Sequence, residues 1–185
     1  MKICIVSDSH DNRFLLAAAV KDAKQRGAQA VLHCGDVVAP TTLRILNPIG
    51  LPVHVIHGNN TGDLYSLAKL AHDPASVVHY YGQDAGIELA GRRIFLVHFP
   101  HYARAMCLTG EWDMVCCGHD HRSEIARIDN IKQGQTLFIN PGTVGGVGAE
   151  PTYAFGDLEE MEFEVLPVPI PAELAYNRPQ VTPHK

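Results

Sequence analysis

Short apolar runs that end in acidic, amide or histidine side chains are the feature that most constrains the fold of this chain. The apolar runs span residues 2–7, 30–33, 51–56, 92–97 and 114–117. The polar residues that follow them are, in chain order, Asp8 with His10, Asp36, Asn59, His98, and His119 with His121. Because runs of this length and composition are typical of buried strands, the pattern predicts a sheet with polar side chains at one edge.

Helical segments separate the first three runs. Asn12 is placed to cap one helix, and Thr41 or Thr42 opens a second that stops before Pro48. A third helix passes through residues 64–71. Alternation of strand and helix predicts a parallel sheet with right-handed crossovers.

The second half of the chain has a different pattern. Ala90-Gly91 separates two β-rich runs and indicates a hairpin. Four further short runs, expected to be antiparallel strands, lie at residues 123–128, 136–139, 153–158 and 162–168. The simplest arrangement for an α/β chain of this kind is two mixed sheets packed face to face, with helices outside.

The polar residues at the strand ends form a plausible set of metal ligands only when taken together. An isolated Asp after a strand is usually a cap, and an isolated His is usually a hydrogen-bonded surface residue. Five coincidences at one sheet edge favour a metal site, and His, Asp and Asn without thiolates suit Mn²⁺, Fe²⁺, Zn²⁺ or Ni²⁺. The other histidines, at positions 33, 54, 57, 72, 79 and 184, are interpreted as surface residues.

Each pair of ligands two residues apart is predicted to point to one side of an extended backbone. The pairs are Asp8 with His10 and His119 with His121. Glycines at positions 35, 58 and 118 are expected to allow the turns that bring these ligands close together.

Composition excludes several classes of protein. The formal net charge is −5 over 185 residues and no basic stripe is visible, so stable nucleic-acid binding is not expected. We find no apolar segment long enough for a signal peptide or a membrane span. Cysteines 4, 34, 116 and 117 lie in apolar runs and are interpreted as buried, which favours a reducing cytoplasm.

The length predicts one domain over residues 1–166 followed by a proline-rich tail over residues 167–185. Because five prolines recur in the tail, it is expected to be extended. The alternative is a strap across a neighbouring copy of the chain in a homo-oligomer.

The ordered motifs resemble those of the calcineurin-like metallophosphoesterases, in particular the branch of small single-domain bacterial and archaeal phosphodiesterases. The resemblance covers about residues 2–165. The motifs that carry it are Asp8-x-His10, Gly35-Asp36, Gly58-Asn59, His98, Gly118-His119-x-His121 and the turn Asn140-Pro141-Gly142. It implies a four-layer α-β-β-α sandwich and hydrolysis of small phosphate esters.

The resemblance also implies a set of ligands for two divalent metal ions, with Mn²⁺ expected first and Fe, Zn or Ni as alternatives. The first ion would be held by Asp8, His10, Asp36 and His121. The second would be held by Asp36, Asn59, His98 and His119, with Asp36 bridging. Two ions about 3.5–4 Å apart can share a hydroxide that attacks the phosphorus in line.

Three departures from the family pattern affect the expected catalysis. Asn60 stands where many relatives have a histidine; it can bind phosphate but cannot act as a useful general acid. Phe99 follows His98 where relatives commonly have glycine, and His101 is either the replacement acid or a loop histidine. Asp36, Asn60 and His101 form the predicted catalytic set. No arginine follows the Asn-Pro-Gly turn, which leaves Arg104 and Arg122 as candidate cations near the site.

Other interpretations of the sequence stay open. The glycine-rich stretch 143–148 is either a flexible loop or a set of backbone N–H groups facing a substrate. Phe99, Tyr102 and Trp112 are candidates for a pocket wall, although Trp112 also fits a core position.

The whole chain is either an active phosphoesterase or a metal-binding interaction scaffold that keeps the fold without turnover. An amidohydrolase is a weaker alternative because its barrel needs a longer chain.

Overall fold

The computed structural model of the protein describes residues 1–170, which form eleven strands and four helices. The strands are β1 (Lys2–Val6), β2 (Ala30–His33), β3 (Val53–Val55), β4 (Val78–Tyr80), β5 (Asp84–Leu89), β6 (Arg92–Val97), β7 (Met114–Cys116), β8 (Ser123–Asp129), β9 (Gln135–Pro141), β10 (Thr152–Asp157) and β11 (Glu162–Pro167). The helices are α1 (Arg13–Gln25), a 3₁₀ helix (Pro40–Ile49), α2 (Leu64–Ala71) and α3 (Pro100–Leu108).

The strands form two mixed sheets. The six-stranded sheet has the order β11-β10-β1-β2-β3-β4, and β1 to β4 are parallel. The five-stranded sheet has the order β5-β6-β7-β9-β8. The parallel first half and the hairpin between β5 and β6 agree with the sequence prediction.

Three apolar clusters hold four layers together. Ile3 and Ile5 of β1 face the second sheet, whereas Cys4 and Val6 face the helices, as the two-residue period of a strand requires. The first cluster joins α1, the 3₁₀ helix and α2 to the six-stranded sheet, and the second lies between the sheets. Because a third cluster joins α3 to the five-stranded sheet, the predicted α-β-β-α sandwich is confirmed.

Local signals located the first helix correctly. The Asn12 side chain accepts a hydrogen bond from the Leu15 amide, and α1 begins directly after it. The second helix differs from the prediction: it begins at Pro40, is 3₁₀ in form and continues through Pro48 to Ile49. The fixed φ of proline lies within the range of a 3₁₀ helix, so Pro48 does not end this ten-residue segment.

The structure contains two elements that the sequence analysis did not predict, β4 and α3. The N-cap of α3, Phe99, makes no side-chain capping bond, so the usual local signal is absent, although Pro100 at the first helical position is one. The strand β9 also differs. It was expected to be antiparallel, but it pairs in parallel with β7 and antiparallel only with β8.

The expected burial of four cysteines is confirmed, and Cys107 is buried as well. All five lie within residues 1–170 and are unpaired there. In the same part of the chain, none of the helices combines the length and the apolar character that crossing a bilayer would require.

The expected tail begins inside the last strand. Pro167 is the final residue of β11, and Val168 is buried in the first cluster, where its amide donates to the Pro151 carbonyl. Pro167 occupies an edge strand, which is where a sheet tolerates proline. The rest of the tail prediction falls on residues 171–185, outside the described residues.

A buried tyrosine links α1 to β10. The Tyr153 hydroxyl donates to the Asp22 carboxylate, which also accepts from the Arg26 guanidinium at 2.7 Å. Burial opposes ionisation of Asp22, but these hydrogen bonds outweigh it and lower the pKa of the carboxyl group. The folded state therefore favours the ionised carboxylate.

We expect Tyr153→Phe to lower the free energy of unfolding at pH 7 by about 1–2 kcal/mol, since Asp22 loses a buried hydrogen bond. A carboxyl group with a lowered pKa stabilises the fold above its unfolded-state pKa, and this contribution disappears as the pH falls through the folded-state pKa. The difference from wild type, measured by urea unfolding, should therefore shrink at pH 3. Tyr65→Phe is the control, because Tyr65 is 78% exposed; equal effects of both changes would contradict the expectation.

Candidate metal centre

Loops at the carboxyl ends of the central strands bring the seven predicted ligands to one edge of the sandwich. Backbone hydrogen bonds hold these loops to one another. The Asp8 amide donates to the Gly35 carbonyl, the His10 amide to the Asp36 carbonyl, and the Gly118 amide to the His98 carbonyl, each at 3.0 Å. The relative positions of the side chains are therefore set by main-chain contacts.

The backbone at the paired ligands is left-handed, which corrects the expected extended conformation. The φ angles are 54° at Asp8 and 41° at His10, and 78° at His119 and 59° at His121. Asp36 has a φ of 54° as well. Non-glycine residues rarely adopt this conformation, and when they do they cluster at functional sites. Five of the seven predicted ligands therefore lie in tight turns of the backbone.

All three glycines in the motifs are required by close packing, and a Cβ at Gly35 would lie 2.6 Å from His98 Nδ1. A Cβ at Gly58 would lie 2.1 Å from Asp36 Oδ1, and a Cβ at Gly118 would lie 1.9 Å from Ser7 Oγ. Gly35, with a φ of 107°, also needs the conformational freedom expected for it. The glycines thus let the ligand-bearing loops approach one another.

Asp8, His10 and His121 form one group of potential ligands. His121 Nε2 lies 3.4 Å from Asp8 Oδ1 and 3.1 Å from His10 Nε2. His10 Nε2 is 3.8 Å from Asp8 Oδ1 and 3.9 Å from Asp36 Oδ2. The ligand atoms of Asp8, His10 and His121 lie within 4.8 Å of one another and could bind one cation.

Asp36, Asn59, His98 and His119 form the adjacent group. His98 Nε2 lies 3.3 Å from Asp36 Oδ1 and 3.0 Å from Asn59 Oδ1. His119 Nδ1 is 2.8 Å from the same Asn59 oxygen. The two oxygens of Asp36 therefore face different groups, Oδ1 toward His98 and Oδ2 toward His10.

Backbone carbonyls orient two of the imidazole rings. Nδ1 of His98 lies 2.8 Å from the Cys34 carbonyl, and Nδ1 of His121 lies 2.6 Å from the Val147 carbonyl. A carbonyl oxygen only accepts, so each Nδ1 carries the proton and donates. Once Nε2 carries no proton, its lone pair faces the centre, as is usual for metal-ligating histidines.

Hydrogen bonds shift the pKa values of Asp36 and His98 in opposite directions. Burial opposes ionisation of Asp36, but hydrogen bonds from His98 and Asn60 outweigh it and keep the pKa well below its usual value. Burial disfavours a charged His98, yet the bonds to Asp36 and to the Cys34 carbonyl raise its pKa. A cation that binds here must displace the His98 proton, so we expect metal affinity to fall as the pH is lowered.

The residues present fit a metal. Asp8 is 0% exposed and Asp36 is 2% exposed. Among the residues that the structure describes, Asp8 Oδ1 has no hydrogen-bond partner, although the imidazoles of His10 and His121 lie beside it. A buried carboxylate oxygen without a donor is costly. A divalent cation coordinated by this oxygen and the two imidazoles would remove the cost.

The two other predicted catalytic residues are placed differently. Asn60 contacts the centre directly: its backbone amide donates to Asp36 Oδ1 at 2.8 Å and its side chain to Asp36 Oδ2 at 2.5 Å. His101 lies exposed in the first turn of α3, with its ring against Phe99 and Tyr102. The described contacts therefore join Asn60 to the seven residues but do not join His101 to them.

The prediction that His33 is a surface residue is wrong, because its side chain is buried. Its Nε2 lies 3.1 Å from Ser9 Oγ, and its Nδ1 accepts from the Gly35 amide at 3.3 Å. Burial, with the nearby His98, lowers the pKa of His33 to about 3, so the ring is neutral at pH 7. It supports the first two ligand-bearing loops, and only its position two residues before Gly35 in the sequence indicated this.

The glycine-rich stretch also has a role that neither earlier interpretation described. The amides of Val144 and Gly145 donate to the carbonyls of Ser7 and Asp8 at 2.9 and 3.1 Å. They are therefore unavailable to a substrate, and this part of the stretch supports the Asp8 loop. Arg104 is likewise engaged, since it pairs with Glu124 at 2.6 Å.

A cavity of about 610 Å³ opens beside Asn59 and His98. Phe99 and Tyr102 contribute to its wall, as predicted. Trp112 does not line it; the indole packs against Phe95 with ring centroids 5.0 Å apart and belongs to the core beneath α3. The cavity connects the candidate metal centre to the helical side of the second sheet.

Comparison with known proteins agrees with the fold. The family model described as the calcineurin-like phosphoesterase superfamily domain matches residues 1–161, so the chain belongs to this superfamily. Membership confirms the predicted class of enzyme, a metal-dependent phosphoesterase.

Individual relatives support the small archaeal and bacterial branch. The phosphodiesterase MJ0936 of Methanocaldococcus jannaschii is 26% identical over 166 residues, which are 88% of this chain and 96% of that protein. A solved archaeal phosphodiesterase has a TM-score of 0.78 at 24% identity, over 90% of this chain and 99% of the other. Vps29 of Entamoeba histolytica, solved with Zn²⁺, has a TM-score of 0.58 at 18% identity, over 89% and 90%.

Proposed function

We propose that this protein is a phosphodiesterase that uses two divalent metal ions. The observation that carries the proposal is the position of Asp36, whose two carboxylate oxygens face two separate groups of ligand atoms. A carboxylate in this position suits a bridge between two cations. The phosphodiesterase name of the archaeal relative supports the choice of a diester as substrate.

Each ion has its own set of proposed ligands. The first set is Asp8, His10, Asp36 and His121, and the second is Asp36, Asn59, His98 and His119. Two bound cations would activate a water molecule and neutralise the phosphoryl oxygens during an in-line displacement. Mn²⁺ is the expected ion, and this donor set also accepts Fe, Zn or Ni.

Side chains and backbone carbonyls of the chain hold the proposed metal ligands in position. Asn60 holds both oxygens of Asp36 through its amide and side chain, and the carbonyls of Cys34 and Val147 hold the rings of His98 and His121. We place Asn60 where its side chain can also donate to a phosphoryl oxygen. An amide cannot protonate a leaving group, so diesters with good leaving groups should be hydrolysed fastest.

The second candidate function is a metal-binding interaction scaffold. The lack of a histidine at position 60 favours it, and Vps29, which has this fold, was solved with Zn²⁺. A scaffold would bind metal without turnover. The buried and unpartnered Asp8 Oδ1 fits metal binding under either function, so only catalysis separates them.

Metal reconstitution tests the proposal. We expect the metal-stripped protein to be inactive toward bis(p-nitrophenyl) phosphate, and to regain turnover with Mn²⁺ or Ni²⁺ and less with Mg²⁺. Metal content by plasma mass spectrometry should approach two ions per chain when activity is maximal. Two bound ions without turnover of any activated diester would reject the enzyme and favour the scaffold.

A further inference from the structure

Two of the proposed metal ligands, Asn59 and His98, line the cavity beside the candidate metal centre. The ring of Phe99 lies between the centre and the rest of the wall, with its centroid 4.6 Å from that of His119 and 5.9 Å from that of Tyr102. A phosphoryl group at the centre would therefore place an attached substituent against this wall.

The cavity wall is largely apolar and aromatic. The residues that form this part of the lining are Leu64, Phe95, Val97, Phe99, Tyr102 and Met106. Tyr102 is 53% exposed and Leu64 is 36% exposed, so apolar surface is left uncovered at the mouth. A concave apolar surface of this volume, beside a polar centre, is typical of a binding site for an organic group.

The charges of the lining disfavour a second anionic group. Among the described residues that line the cavity there is no Lys or Arg, and Asp84 contributes a carboxylate. Polyphosphate tails and sugar phosphates are normally bound by Arg or Lys, which make charge-assisted hydrogen bonds to them. The wall instead provides aromatic faces, which favour stacking of an uncharged ring.

We propose that this cavity selects phosphodiesters in which one ester substituent is an uncharged aromatic group, and that Tyr102 and Met106 of α3 are specificity-determining residues. This inference rests on the proposed function, because the phosphoryl group must be bound at the metal centre. Small aliphatic substituents would leave the aromatic wall uncovered, and additional phosphates would face Asp84 without a cation.

Binding of two phosphonates to the Mn²⁺-loaded full chain tests the proposal. Phenylphosphonate and methylphosphonate carry the same anionic group and differ only in the organic substituent. We expect phenylphosphonate to bind about 20-fold more tightly by calorimetry, the order of magnitude expected for burial of one ring. Tyr102→Ala and Met106→Ala should each reduce this preference to less than about fivefold.

A filling variant and a control make the test specific. Ala105 also lines the cavity and is exposed, so Ala105→Phe should occupy the space and remove most of the phenyl preference. Leu108→Ala changes an exposed side chain of the same helix that does not line the cavity, and it should preserve the preference. Circular dichroism checks that each variant is folded.

The outcomes separate this inference from the proposed function. Equal affinities for the two phosphonates, or a preference that survives in all three cavity variants, would overturn the aromatic site even if bis(p-nitrophenyl) phosphate is hydrolysed. Tighter binding of pyrophosphate than of phenylphosphonate would overturn it as well. Selective binding without turnover would uphold the cavity and reject the proposed phosphodiesterase activity. Binding of neither phosphonate would show that the centre does not hold a phosphoryl group, and would overturn both proposals.

Discussion

Asp36→Asn is expected to reduce kcat/KM for bis(p-nitrophenyl) phosphate on the order of 1,000-fold and to lower the bound metal from two ions per chain to one or none. The amide has the shape of the carboxylate but lacks its charge, and only one of its two polar atoms can coordinate a cation. If Asp36 bridges the two ions, the substitution removes a ligand that both ions share. Steady-state kinetics with saturating Mn²⁺ and metal analysis of the dialysed protein check this result.

Asp63→Asn is the matched control. Asp63 lies four residues after Asn59 and caps α2 by accepting from the Ser66 amide at 3.0 Å. Asparagine caps helices equally well, so activity and metal content should stay within about twofold of wild type. If Asp36→Asn kept two ions and full turnover, Asp36 would not be the bridge and the proposed arrangement of ligands would be wrong.

Gly58→Ala is expected to reduce activity by at least about 100-fold and to destabilise the fold by about 1–3 kcal/mol. The added methyl group would lie 2.1 Å from Asp36 Oδ1 and 2.8 Å from both the Asp36 amide nitrogen and His98 Cε1. A change of side-chain rotamer cannot relieve the contact with the backbone nitrogen. The loops that bear Asp36 and Asn59 must therefore separate.

Activity assays and scanning calorimetry on Gly58→Ala measure the two effects. Gly134→Ala is the control, because the nearest atoms to its added methyl group belong to Asn130 and lie 3.7 Å away, an ordinary contact distance. We expect it to unfold and to hydrolyse substrate like wild type. Normal turnover in Gly58→Ala would show that the close approach of these loops is unnecessary for catalysis.

Much of the fold could be predicted because its signals are local. The Asn12 cap, the apolar run of β1 and the Ala90-Gly91 turn each depend on neighbours within a few residues. The signals that failed were also local: α3 lacks a capping side chain, and Pro48 suggested a helix end that a 3₁₀ segment does not require. The parallel pairing of β7 with β9 depends on residues distant in the chain, which no short pattern reports.

The candidate site divides in the same way. The identity and order of the seven ligand residues, and hence the kind of cation they suit, follow from the sequence, since ligand chemistry is a property of the side chains. The left-handed turns at Asp8 and His119, the buried position of His33 and the orientation of Asp36 do not. Contacts between loops 20 or more residues apart determine them.

The sequence by itself determined the class of this protein, because local residue patterns indicate the strands, the helices and the spacing of the potential ligands. Only the tertiary structure decided how those ligands meet and what lies beside them. The aromatic wall around Phe99 exists because α3 packs on the second sheet, and the half-buried Trp112 packs beneath that helix instead of facing the cavity. Packing between segments that are distant in the chain determines the positions of α3 and of this wall. A local pattern of residues does not report such packing.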